Sequence, residues 1–314
     1  MKKFKAITGA FIFCLVCLSC TDRESAFKEY IEREDWDSLL QMYDTSSDSL
    51  RANEISYIDI ALAAKGELAE RAFNYLQGGP ACLFPDWHLQ EWEAEILTDI
   101  YYQAGHIALA QRMAFEADVC YAPEHSNRML KRLVQTNIIY CNWPIAEKYI
   151  CILEKEGGKW RDWATAQREF LNRQDLVEQN EEYGIKKRCI PDENFISLDR
   201  GIVADLKDII KANPEHRNTV EILGVYYLLA LDFGVFKEFL DEYHGTEILP
   251  ELPRSFAEAA CMLSEETPGY WKTVGVGAST YREYVDFKNR MSAGLSLDKY
   301  RGTYWVYVMK MNTR

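Results

Sequence analysis

The stretch AEILTDIYYQAGHIALAQRMAFEADVCYAP, residues 94–123, decides the fold. Leu97 and Tyr101 stand four apart, and Ala110, Ala114 and Ala117 follow at spacings of four and three. Each set therefore lines one face of a helix. Gly105 separates the two helices and Pro123 ends the second. Small side chains at successive turns of the second helix let the first approach closely, while Leu97 and Tyr101 fill the space between. The stretch predicts an antiparallel helical hairpin.

The same logic extends in both directions. Moving the key positions on by 36 residues gives Leu133, Asn137, Cys141, Ala146, Ile150 and Leu153, apolar or small at almost every one. Upstream, Phe27, Tyr30 and Ile31 pair with Trp36, Leu39 and Tyr43. A further hairpin is capped by the Ser-rich Thr45–Ser49, turns at Gly66 and continues from Leu68 to Leu76. Downstream, Leu206, Ile209, Leu223 and Tyr227 restore the period, with Phe236, Phe239 and Leu240 on the partner helix. Pro123-Glu124-His125-x-Asn127 and Pro214-Glu215-His216-x-Asn218 are one phrase used twice, each opening a hairpin. Gln77–His88 breaks the pattern with two glycines and two prolines, yet Cys82, Leu83, Phe84 and Trp87 are too apolar for a solvated loop. The segment should pack at a junction between hairpins, or fold over a groove. Tyr300, Tyr304, Tyr307 and Met311 predict a last helix that caps the stack, a strand through Thr303–Val308 being the alternative.

At Leu97, Tyr101, Gly105, Ala110, Ala117 and Pro123 the central hairpin resembles a tetratricopeptide repeat. The resemblance implies an all-α protein, a right-handed α-solenoid of antiparallel helical hairpins. The chain then reads as a signal peptide at 1–19, a tether at 20–25, N-terminal repeats at 26–171, an irregular connection at 172–197, and C-terminal repeats with a capping helix at 198–314.

The chain opens with Lys2, Lys3 and Lys5 and an apolar run from Ala6 to Leu18, the marks of a secretory signal. Leu18-Ser19-Cys20 resembles a bacterial lipobox, which implies cleavage before Cys20 and lipidation of its thiol. An ordinary signal peptide with an incidental cysteine is the alternative. The formal charge is −13, and removing residues 1–19 takes away three lysines and no acids, leaving −16. So acidic a surface excludes nucleic acid as a partner. The implied location is the cell envelope, at a membrane through the N-terminal lipid, with the leaflet undecided.

The six cysteines after Cys20 form no CxxC pair, and most are expected as unpaired core residues, Cys120 and Cys151 among them. There is no HExxH, Walker A loop or GxSxG elbow, and the five histidines lack ligand spacing. No catalysis, cofactor or metal is expected.

In tetratricopeptide arrays the first helix of each hairpin lines the concave face. That resemblance selects Trp92, Glu95, Asp99 and Tyr102, then Arg128, Lys131 and Gln135, then Asn218 and Glu221 as candidate groove residues. Spaced three, four and three, the first four form a stripe distinct from Leu97 and Tyr101. Such a groove suits an extended peptide or a partner helix; a solvated face is the plain alternative. The expected function is a protein–protein interaction scaffold for an envelope partner. The alternative is a glycan- or small-ligand-binding lipoprotein using Trp87, Trp92, Trp305 and Tyr307. As a whole, residues 24–314 resemble an uncharacterised family of bacterial envelope proteins, through Tyr57–Leu62, Ala110–Ala117, Leu130–Leu133 and Thr303-Tyr304-Trp305. That resemblance implies the fold and no activity.

Overall fold

The computed structural model describes residues 23–43, 49–192 and 201–313. Cys20 and the segment before it lie outside the described residues. The chain divides into two compact units, Met1–Asp44 and Thr45–Arg314. In the first, helix α1 (23–33) and helix α2 (Trp36–Gln41) form the expected hairpin. Asp35 caps α2 by accepting the Ser38 amide at 3.2 Å, and the Phe27 and Tyr43 rings meet edge-on at 6.2 Å.

The regular elements of the second unit are all helices, with no strand among its described residues. Its first half holds α3 (Ala52–Ala64), the short α4 (Leu68–Arg71) and α5 (Pro80–Leu83), then the hairpins α6 (Glu91–Gln103) with α7 (Ile107–Cys120) and α8 (Asn127–Ile139) with α9 (Trp143–Glu156). Ala110, Ala114 and Ala117 are wholly buried, as the close approach of α6 to α7 requires. Arg51, rather than a serine of 45–49, precedes α3, its amide donating to Glu54 at 2.8 Å. The helix expected over Leu68–Leu76 tightens into a 3-10 turn at Ala72–Asn74. The 77–88 segment does pack: Cys82 and Leu83 are buried, with α5 against α3.

Residues 172–192 are not an irregular connection. After α10 (Gly158–Gln167) they form α11 (Gln174–Gln179) and α12 (Glu181–Arg188). Asn180 caps α12 by accepting the Glu182 and Tyr183 amides, acids open the helix and Lys186, Lys187 and Arg188 close it. Charge matched to the helix dipole makes α12 a helix despite its lack of an apolar stripe.

The second half comprises α13 (Gly201–Ala212), α14 (Arg217–Leu229), α15 (Phe233–Tyr243), α16 (Arg254–Leu263), α17 (Tyr270–Thr273), α18 (Ala278–Ser292) and α19 (Tyr304–Asn312). Phe239 and Phe256, packed edge-on against each other, crowd so close to Gly224 that a Cβ there would lie 2.3 Å from the Phe256 ring. Only glycine fits.

Helices end with carbonyls that lack intrahelical donors. Here distant side chains supply them. Asn218 on α14 donates to Ala63 O at the end of α3, and Thr219 donates to Ala104 O after α6, both at 2.9 Å. Tyr304 and Tyr307 on α19 donate in turn to Leu228 O and Leu229 O, the end of α14, at 3.0 and 2.7 Å. The last helix is therefore not an outer cap: Tyr304 through Val308 are buried.

Asp59 on α3 is wholly buried, accepting from Gln77 Nε2 at 2.8 Å, and burial pushes its carboxyl up to about 8. Asp59 Oδ2 and Gln77 Oε1 both lack a donor, a shortage that one proton on Asp59 relieves. A carboxyl raised by folding contributes stability that is complete below its unfolded pKa and is lost as pH rises towards the folded value. Wild-type melting temperature should therefore fall between about pH 4 and pH 8 through this group. Asp59→Asn, which keeps a neutral donor there, should melt higher than wild type at pH 8 and flatten that dependence; an unchanged pH profile would refute the assignment.

Candidate functional site

Of the nine residues expected on an open groove, most are inside the protein. Asp99 is 1% exposed, and Tyr102, Arg128, Gln135 and Glu221 are buried as well. Asp99 Oδ1 accepts from Arg132 Nη2 at 3.0 Å and its Oδ2 pairs with Arg128. Arg128 also meets Glu95 at 2.8 Å and donates to the Tyr57 hydroxyl at 3.0 Å. Arg132 sits 3.7 Å over the Tyr102 ring and donates to Gln135 at 2.9 Å.

Helix α12 closes this stripe. Glu182 accepts from the Tyr102 hydroxyl at 2.6 Å and from Gln135, while the buried Lys186 ammonium donates to Tyr102 O at 2.8 Å. Burial, opposed by Glu182, pulls Lys186 down to about 8. Burial also holds the Tyr57 and Tyr102 hydroxyls well above the ordinary phenol range, so both remain donors. The stripe pairs its charges internally and is a structural network in this conformation. Asn218 and Glu221 belong to the joints between helices, Glu221 accepting from Arg217 at 2.7 Å and from the Ala69 amide. Lys131 is half-buried, 5.7 Å from the Trp163 ring, and Trp92, 38% exposed, is the one large apolar side chain of the set at the surface.

The open concavities lie elsewhere. A groove of about 800 Å³ runs between α7, the end of α8 and α9. Phe115 and Ile145, 52% and 42% exposed, stand on its walls with Tyr149, and Gln111, Arg112 and Asn137 supply polar groups. A second cavity of about 270 Å³ lies among Trp87, Tyr101, Arg112, Met113 and Asp205. Sequence reasoning missed these residues as a set, although Ala108, Gln111 and Phe115 recur at three and four on α7, off the alanine stripe.

Asp205, 8% exposed, is bonded to His106 Nε2 at 3.3 Å through Oδ2, while Oδ1 has no partner. His106 Nδ1 accepts the Leu109 amide at 3.3 Å, capping α7. The ring therefore carries its proton on Nε2 and is neutral. Nearby Cys189 and His216 offer no nucleophile and base: burial raises the thiol, and burial followed by Lys186 lowers His216 to about 3. His125 and His216, alike in sequence, diverge in partner, His125 meeting Asp118 at 3.0 Å and His216 meeting Thr219 at 2.6 Å. Among the described residues no group of three His, Cys, Asp or Glu side chains could hold a metal ion. All six cysteines from Cys82 on are unpaired; Cys82, Cys189 and Cys261 are buried, but Cys120 is exposed and Cys151 half-buried, so these two are not core residues. Trp305 and Tyr307 are buried as well, which removes them as platforms for a sugar.

A structural stripe and a surface residue respond differently to truncation. Asp99→Ala should cost about 3–5 kcal/mol by removing the carboxylate that two buried arginines share, whereas Trp92→Ala should change stability by about 0.5 kcal/mol or less. Denaturant titration checks both, and a near-neutral Asp99→Ala would contradict the buried network.

No curated protein matches this chain, and no solved structure does. A family model described as a family of unknown function matches residues 2–311. That match spans nearly the whole chain, and the protein belongs to this family, DUF6057.

Proposed function

We propose that the protein is a lipid-anchored scaffold of the cell envelope, without catalysis, that holds an extended segment of a partner protein in the groove between α7 and α9. The groove carries the reading. Its apolar walls are exposed at Phe115 and Ile145, and the half-buried Gln111 amide lines the groove where a peptide backbone needs a donor or an acceptor. Arg112 adds a cation for an acidic side chain of the partner. The consecutive hairpins α6–α7 and α8–α9 support the solenoid reading, in which second helices present a continuous outer surface. The Leu18-Ser19-Cys20 sequence supports the anchor, and no described helix is long and apolar enough to cross a membrane.

A photoreactive residue in place of Phe115 in the full-length protein tests the groove, and fractionation of Cys20→Ala tests the anchor. One discrete protein adduct, lost when Ile145→Asp is added, is expected, with Cys20→Ala moving to the soluble fraction. An absence of adducts, or the same adducts from the distant exposed position Met291, would overturn the groove. Retention of Cys20→Ala at the membrane would overturn the anchor.

A further inference from the structure

The smaller cavity is lined by two groups of opposite charge, neither of which meets an arginine, a lysine or a carboxylate partner in an ion pair among the described residues. Asp205 is one. Its only hydrogen-bonding partner among the described residues is His106, and that ring, bound to the Leu109 amide through Nδ1, donates through Nε2 without bringing a positive charge. Asp205 Oδ1, buried in the cavity wall, has no hydrogen-bond partner among the described residues. A carboxylate held out of water without a cation is costly, and an unfilled acceptor adds to the cost.

Arg112 is the other. It lines the cavity half-buried, and among the described residues it enters no ion pair; its guanidinium lies 5.9 Å from the centre of the Trp87 ring. In a chain of net charge −13, an arginine without a carboxylate partner is conspicuous. Beside it, Trp87 Nε1 is a buried donor with no acceptor among the described residues. The Tyr101 hydroxyl lies within the fields of both charges, Asp205 and Arg112 acting on it in opposite senses. Leu97, Leu109, Met113 and Ile202 supply apolar wall between these groups.

The unmet needs are thus two donors seeking an anion and one buried carboxylate seeking a positively charged donor. A sugar would satisfy the hydroxyl-type bonds but leave both charges uncompensated. The volume, about 270 Å³, falls just below the usual range for small-molecule sites, about 300–1,000 Å³. That admits a single small metabolite and excludes a polymer chain.

We propose that this cavity binds a free α-amino acid with an apolar side chain. Its carboxylate takes Arg112 and Trp87 Nε1–H, its ammonium takes Asp205 Oδ1, and its side chain lies against Leu97 and Met113. Arg112 also borders the larger groove, so an occupied cavity would fix the arginine's position there.

Titration calorimetry of the full-length protein in detergent with L-leucine and L-phenylalanine tests the site. Saturable binding of at least one is expected, weakened about tenfold or more by Asp205→Asn and by Arg112→Gln. Isocaproate, which lacks the ammonium, and isoamylamine, which lacks the carboxylate, should each bind about tenfold or more weaker than leucine. Trp87→Phe keeps the ring and deletes only the donor; it should weaken leucine binding with the melting temperature of the free protein unchanged, so the proposal stays testable if Asp205→Asn fails to fold. Ile145→Ser, in the outer groove, should leave leucine binding intact, which separates this site from the partner groove. No saturable heat with either amino acid, isocaproate binding as tightly as leucine, or tighter binding of glucuronate would overturn the proposal.

Discussion

The burial of Asp99 between Arg128 and Arg132 is the constraint on which the middle of the molecule depends. Three charges taken out of water repay their desolvation only if their pairing has good geometry and further hydrogen bonds support it. Glu95, Tyr57, Gln135 and the Tyr102 ring supply that support, Arg132 Nε being left without a hydrogen bond among the described residues, so α3, α6 and α8 are held in one register. Helix α12 then finishes the job from the other side, Glu182 and Lys186 meeting Tyr102 at its hydroxyl and its carbonyl. The outcome is a polar interior that specifies which helices adjoin, surrounded by apolar seams that supply most of the stability.

The joints between helices follow a second rule. Asn218, Thr219, Tyr304 and Tyr307 each reach the unsatisfied end of a helix far away in sequence. These bonds fasten α14 to α3 and α6, and α19 to α14, so the later helices return to the earlier ones instead of trailing away as independent repeats. Two of the concavities left open lie along α7 and α9 and beneath the 84–88 segment, and they hold the apolar side chains and the charged groups on which the functional proposals rest.

Much of the fold was legible in the sequence because it rests on local period. The alanine stripe of α7, the breaks at Gly66 and Gly105 and the second hairpin displaced by 36 residues all depend on spacings of three and four, and these the chain displays. Helix α12 was not legible, since it has charge matched to its dipole in place of an apolar stripe. The site was legible only in part. Period places Asp99 and Tyr102 on a stripe of their own, correctly, but cannot say whether a polar stripe faces water or another polar helix 80 residues further on. Arg112 and Asp205, 93 residues apart, come to line one cavity through tertiary packing alone, and nothing local marks either of them.

Whether α12 closes the polar stripe can be read directly from amide hydrogen exchange of the intact protein. Docked α12 predicts that residues 181–188 are protected to the same degree as α8 and lose that protection together with α6 and α8 in Asp99→Ala. Rapid exchange of 181–188 beside a protected α8 would mean that the stripe is open to solvent, and the assignment of those charges to structure would be wrong.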